Sequence, residues 1–263
     1  MATDTVVEPS PLEFLQLVGD TQRWQILVHL SRGDRRVAEL AGLMERAPNV
    51  VSYHLGELRS AGLVSARRSA ADGRDTYYRL DPTRCGELLA TVGTALHPAL
   101  RVTPNPPSPA EMTRGKKPQV LFLCTGNSAR SQMAEALLEQ RSEQTITARS
   151  AGSHPKPLHP NAVRVMAERG IDIADHKTKH LDRFAHTRFD HVVTLCDKVK
   201  EVCPSLPGQP VTAHWSMADP AASSADDQAS YPTFVRTADD IEARIDLLIA
   251  ELITERSNER RTS

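Results

Sequence analysis

Only four cysteines occur among 263 residues, too few for the disulfide framework of a secreted domain. No apolar run approaches the length of a bilayer span, and the acidic start Met1–Pro9 lacks the basic and apolar regions of a signal peptide. Net charge is nearly absent at −1, so no global field attracts nucleic acid and any such contact must rest on a local patch. The first hundred residues contain no lysine at all, with eleven arginines set against twelve acids. Internal repeats are missing, and no histidine pair accompanies the cysteines at metal-ligand spacing. These absences lead us to expect a cytoplasmic protein with no bound metal or cofactor, whose thiols are reactive rather than structural. With 40% hydrophobic and 25% charged residues, the chain is long enough for two ordinary cores.

The clearest boundary is a proline-dense stretch from His97-Pro98 through Thr103-Pro104-Asn105-Pro106-Pro107-Ser108-Pro109. Prolines at this density exclude helix and ladder pairing and leave an extended, semi-stiff spacer. The expected division is therefore residues 11–96, a linker over 97–117, and a second domain over 118–255. The polar tail from Glu255 to Ser263 is expected to fray.

Before the linker the pattern is mostly helical. Leu12, Leu15 and Val18 form one apolar face, and Trp24, Leu27, Val28 and Leu30 a second, after an Asp20 cap. Val37, Leu40, Ala41 and Met44 mark a third helix. Pro48 starts a fourth, with Val51, Leu55 and Leu58 facing inward. Leu63 to Arg68 and Asp75 to Leu80 read as strands joined at Asp72-Gly73, a hairpin signal. A last helix spans about Pro82 to Leu96. This is the layout of a mainly α, winged helix-turn-helix domain. The words Val50-Val51-Ser52-Tyr53-His54-Leu55, Leu58-Arg59-Ser60-Ala61-Gly62-Leu63-Val64 and Tyr77-Tyr78-Arg79-Leu80 resemble the ArsR-type repressors.

That resemblance implies a homodimer whose fourth helix enters the major groove of operator DNA while the wing touches the backbone. Asn49, Ser52, Tyr53 and His54 are the candidates for reaching base edges. Arg67, Arg68 and Arg74, with Arg79, cluster on the wing where phosphate contacts are needed. A winged helix retained only for dimerisation is the competing reading. Cys85, the single thiol of this domain, is a poor ligand set for As(III) and leaves the inducer site open.

In the second half, Cys124-Thr125-Gly126-Asn127-Ser128-Ala129-Arg130-Ser131 lies between the apolar run Val120-Leu121-Phe122-Leu123 and the helical pattern Met133, Ala134, Leu137, Leu138. A buried strand, a small-residue turn and a helix start make an anion cradle, because backbone N–H groups converge there and the helix dipole favours negative charge. The same field stabilises a thiolate at Cys124, and the planar fork of Arg130 suits a tetrahedral oxyanion. A buried structural cysteine beside a loop arginine is the bland alternative. Residues 119–255 resemble the low-molecular-weight protein tyrosine phosphatase fold, an α/β domain with a central parallel sheet flanked by helices. Among its members they most resemble the arsenate reductases.

Cys196 and Cys203 form a second constellation, after a predicted strand Asp190–Leu195 and flanking a short helix or loop that Cys203-Pro204 stops. A disulfide requires Cα atoms within about 7 Å, so bonding these two thiols requires the segment to loop out. Two unrelated buried thiols are the alternative. Val193-Thr194-Leu195-Cys196, Cys203-Pro204, His214-Trp215 and Asp219-Pro220-Ala221 are similar in order and spacing to the thioredoxin-linked arsenate reductases. The resemblance implies a mechanism. Arsenate sits in the Cys124–Ser131 loop, Cys124 attacks arsenic, and Asp219 acts as general acid. Cys196 then attacks Cys124 and releases arsenite, Cys203 moves the disulfide outward, and thioredoxin or a similar dithiol carrier reduces it. Asn127 braces the loop, and Ser131 hydrogen-bonds the thiolate.

Two departures are informative. Tyrosine phosphatases of this fold follow Asp-Pro with aromatic residues, whereas here Ala221-Ala222-Ser223-Ser224 follows. Some of these reductases bind potassium beneath the loop, and Asn127, Glu135 and Ser150 match that set. The remaining position is Lys179 in place of aspartate, so no potassium is expected. Two other readings remain: a phosphatase fused to a DNA-binding regulator, which needs neither Cys196 nor Cys203, and a non-enzymatic regulator responding to arsenic or redox state.

Overall fold

The computed structural model describes residues 9–100, 116–203, 206–224 and 226–262. The chain divides into two compact units, residues 1–105 and 106–263. The predicted linker lies mostly outside the described residues; of its start, Pro98–Leu100 forms one 3-10 turn.

The first unit comprises α1 (Pro11–Val18), α2 (Thr21–Ser31), β1 (Arg35–Arg36), α3 (Val37–Met44), α4 (Pro48–Ser60), β2 (Val64–Arg68), β3 (Thr76–Leu80) and α5 (Pro82–Leu96). Local chemistry sets the boundaries. Ser10 and Glu13 form a capping box on α1. Asp20 accepts from the N–H groups of Gln22 and Arg23, both at 3.0 Å, to start α2. Glu45 closes α3 in the left-handed region at φ 52°, and Pro48 opens α4 where its missing N–H costs nothing. The strands form an antiparallel sheet in the order β1-β3-β2.

Two sequence expectations need correction here. The core face of α1 is Phe14 and Val18, while Leu12 and Leu15 are exposed at 65% and 44%. On α2 it is Ile26 and Leu30, and Trp24 lies 58% exposed. In both helices the apolar residues exceed one face, and periodicity alone cannot say which stripe faces inward. The expected hairpin is present, and its tip is organised by a hydroxyl: Ser69 Oγ accepts from the N–H groups of Ala71 and Asp72, and Ser69 N–H bonds to Asp75 O at 2.9 Å.

The second unit comprises β4 (Gln119–Cys124), α6 (Arg130–Arg141), β5 (Thr147–Gly152), α7 (Pro160–Ala167), β6 (His191–Thr194), α8 (Asp197–Val202), β7 (Val211–His214) and α9 (Asp227–Thr262). All four strands are parallel in the order β5-β4-β6-β7. The central strand β4 is buried from Val120 to Cys124, as a strand covered on both faces must be. α6 is buried without interruption from Arg130 to Leu138, and α9 contributes Phe234, Ala238, Ile241, Ile245, Leu248, Ile249, Leu252 and Ile253 to the same core. α9 carries the polar tail after Ile253 and continues to Thr262. Among the described residues no helix is long and apolar enough to cross a membrane.

Candidate active site and nucleic-acid interface

Register places two thiols together. β4 pairs with β6 so that Leu123 lies opposite Thr194, and both strands leave the sheet at the same end, with Cys124 the last residue of β4 and Cys196 two positions past the end of β6. Such carboxyl ends of parallel strands are where ligands bind in open α/β sheets. Cys124 is 2% exposed, and its Sγ lies 3.0 Å from Ser131 Oγ and 3.2 Å from the Asn127 N–H.

The loop from Thr125 to Ala129 is held from both sides. Outside, the carbonyls of Thr125, Gly126 and Ser128 accept from the N–H groups of His154, Lys156 and His159, each at 2.9 Å. Carbonyls tied outward leave the peptide N–H groups to face the other way, toward the cradle. Inside, Asn127 adopts φ 46° and spends its whole amide on the fold. Its Nδ2 donates to Ser131 Oγ and Ser150 Oγ, and its Oδ1 accepts from Gln132 Nε2 and Lys179 N–H. Ala129 supplies no side-chain cap to α6, so the first N–H groups of that helix remain available to an anion.

Arg130 closes the loop with its side chain 7% exposed. One guanidinium nitrogen donates to Met217 O at 2.9 Å and the other lies 3.5 Å from Asp219 Oδ1. Asp219 itself caps the 3-10 turn Pro220–Ser223 and is about half exposed. Cys196 is 4% exposed, with its Sγ 3.2 Å from Thr125 Oγ1. Cys203 follows α8 half-buried, and burial pushes its thiol above the ordinary cysteine range. All four cysteines are free thiols.

Beneath the loop, Lys179 Nζ lies 2.9 Å from Glu135 Oε2, which also accepts from Ser150 Oγ. The Glu135 carboxylate is thus already engaged by an ammonium and a hydroxyl. Among the described residues, no three His, Cys, Asp or Glu side chains are arranged to hold a metal ion. The brace of residues 154–159, Gln132 and Gly152 were not found from sequence, because their roles depend on contacts across the fold.

In the first unit, α4 buries Val51, Leu55 and Leu58 completely and leaves Asn49, Ser52 and Tyr53 exposed. His54 departs from the expectation. Its side chain is 13% exposed and Nδ1 lies 3.8 Å from Asp20 Oδ1, so it packs against the start of α2 and does not share the outer face with Tyr53. On the wing, Arg67 is partly buried, Arg68 donates to Gly73 O, and Arg74 grips Asp72 with two nitrogens. Burial pushes the Cys85 thiol up to about 11.

Residues 119–258 match the model for the low molecular weight phosphotyrosine protein phosphatase family, more than half the chain, and the chain belongs to that family. Residues 20–66 match the bacterial regulatory protein, arsR family, and form an ArsR-type helix-turn-helix domain. An arsenate reductase of Halalkalibacterium halodurans is 39% identical over 129 residues, 49% of this chain and 93% of that protein. An arsenate reductase of Brevibacillus brevis is 41% identical over the same length, 49% of this chain and 92% of that protein. Among solved structures, an arsenate reductase from Archaeoglobus fulgidus is 33% identical with a TM-score of 0.42, covering 49% of this chain and 98% of its own.

Proposed function

We propose that the chain reduces arsenate to arsenite by a three-thiol relay and that its first unit ties this activity to operator DNA as an ArsR-type repressor. The observation that carries the reading is the placement of Cys196 beside the oxyanion loop, its Sγ 3.2 Å from Thr125 Oγ1. Phosphate-ester hydrolysis on this loop has no use for a second thiol there, whereas reduction requires one.

The placement of Cys196 beside the loop supports the relay that the likeness to arsenate reductases implies. Arsenate occupies the cradle of Thr125, Gly126, Asn127, Ser128, Ala129, Arg130 and Ser131. The Cys124 thiolate forms an S–As bond while Asp219, held over the loop by Arg130, protonates the departing oxygen as water. The Cys196 thiolate then attacks Cys124 Sγ. A sulfur–sulfur bond forms, the S–As bond breaks, and its electron pair stays on arsenic, which leaves as arsenite. Cys203 next attacks Cys196 and frees Cys124, and a dithiol carrier such as thioredoxin reduces the resulting Cys196–Cys203 disulfide in the cytoplasm.

For the first unit we infer a homodimer. Leu12, Leu15, Leu89 and Leu96 are apolar and exposed on α1 and α5, a cluster that a second copy would cover. α4 would enter the major groove with Asn49, Ser52 and Tyr53 toward the bases and the wing arginines toward phosphate. The reductase is tested by mixing the pre-reduced full chain with arsenate and no external reductant. The expected product is one arsenite per chain with the loss of two thiols. Hydrolysis of an aryl phosphate with no arsenite would leave a phosphatase fused to a DNA-binding module.

A further inference from the structure

A buried polar cluster lies directly behind Cys196 and is not used by the relay. Asp197, the first residue of α8, is 0% exposed. Its Oδ1 accepts from Ser216 Oγ at 2.7 Å and lies 3.1 Å from His214 Nε2. His214 ends β7 and is 2% exposed, with Nδ1 2.8 Å from Thr194 Oγ1 at the end of β6. Nδ1 also lies 3.1 Å from the Thr194 carbonyl oxygen, so both ring nitrogens are engaged and the imidazole ties Asp197 to the end of β6. A carboxylate taken wholly out of water is costly unless its acceptor capacity is met, so these bonds fix Asp197 to the ends of two strands.

The two ends of α8 differ. At the first, Leu195 N–H bonds to Leu123 O at 2.7 Å and Asp197 is locked in the cluster. At the second, Val202 is 58% exposed and Cys203 only half-buried. Cys196 and Cys203 stand seven positions apart, about 10 Å along a helix axis at about 1.5 Å per residue, and a disulfide needs Cα atoms within about 7 Å. One end of α8 has to give.

Resting on the reductase reading, we propose that Asp197, His214 and Ser216 are positioning residues forming the fixed end of the redox switch. They hold Cys196 against the oxyanion loop for its attack on Cys124, and α8 unwinds from the Cys203 end when the disulfide moves outward. The cluster's contribution is confined to the step in which Cys196 must meet Cys124.

The test uses the pre-reduced full chain carrying Cys203→Ser, which stops the relay at the Cys124–Cys196 disulfide. Disulfide formation and arsenite release are followed in a single turnover for this parent, for added Asp197→Ala and for added Asp197→Asn. Protection of Cys124 from iodoacetamide by phosphate, which is not reduced, reports oxyanion binding separately. Displacing Cys196 by even 1 Å should slow disulfide formation in the alanine variant by about tenfold to a hundredfold, with phosphate protection unchanged. The asparagine variant, which keeps an acceptor oxygen at the same place, should stay close to the parent. An alanine variant as fast as the parent, or one that loses protection and rate together, overturns the proposal. No arsenite from the Cys203→Ser parent overturns the reductase reading beneath it and the proposal with it.

Discussion

Gly152 lies so close under Thr125 that a Cβ there would stand 2.6 Å from the Thr125 carbonyl oxygen and 2.8 Å from the Asn127 N–H. The end of β5 is therefore the floor on which the oxyanion loop rests, and only glycine leaves room for it. Gly152→Ala should fold, because the clash is confined to the loop, but phosphate or arsenate should no longer protect Cys124 from alkylation. Undiminished protection would show that the loop tolerates displacement and binds the oxyanion without this floor.

The buried Lys179–Glu135 pair supports the loop from below. Removing one member of a buried ion pair costs about 3–5 kcal/mol, so Lys179→Met should lower the unfolding midpoint clearly in a denaturant titration. Adding Glu135→Gln should recover much of that loss, since the uncompensated charge goes with it. A single variant as stable as the parent would contradict the role assigned to the ammonium.

The half-buried thiols should label late in pH. Burial, reinforced by the nearby Asp81 carboxylate, holds Cys85 up to about 11. Its alkylation rate should keep rising about tenfold per unit to near that value, whereas cysteines of the unfolded chain level off at about 8.5. A plateau at Cys85 below pH 9 would contradict this. A thiol kept protonated at neutral pH is a weak soft-metal ligand, which argues against Cys85 as an arsenite sensor.

Arg74 and Asp72 form a two-point pair at the wing tip, and the hydrogen bonds from Arg74 pull the Asp72 carboxyl down to about 2. The carboxylate is thus ionised throughout the neutral range and competes with phosphate for the guanidinium. Asp72→Asn should tighten DNA binding by the full chain and steepen its salt dependence by about one unit of slope per wing. An unchanged slope would remove Arg74 from the phosphate contacts.

Much of this was legible locally. Val51, Leu55 and Leu58 were read as the inner face of α4 and are all fully buried. The α5 limits Pro82–Leu96 coincide with the sequence reading, because a Pro start and a single apolar stripe are both local signals. The strand, turn and helix around Cys124 were likewise visible in one short segment. What escaped detection was long-range. β1 is two residues long and exists through its pairing with β3. His54 is turned inward by Asp20, thirty-four positions earlier in the chain. The brace at residues 154–159, the floor at Gly152 and the cluster around Asp197 join segments that no periodicity connects. α9 escaped as well, since Pro232 lies within it and proline reads as a helix breaker.

The most direct test of the central claim is arsenate-dependent NADPH oxidation with thioredoxin and thioredoxin reductase, run on the full chain and on Cys203→Ser. The three-thiol account predicts sustained turnover by the parent and a halt after about one arsenite per chain in the variant, because the Cys124–Cys196 disulfide can no longer be passed outward. Equal sustained turnover by both proteins would contradict it.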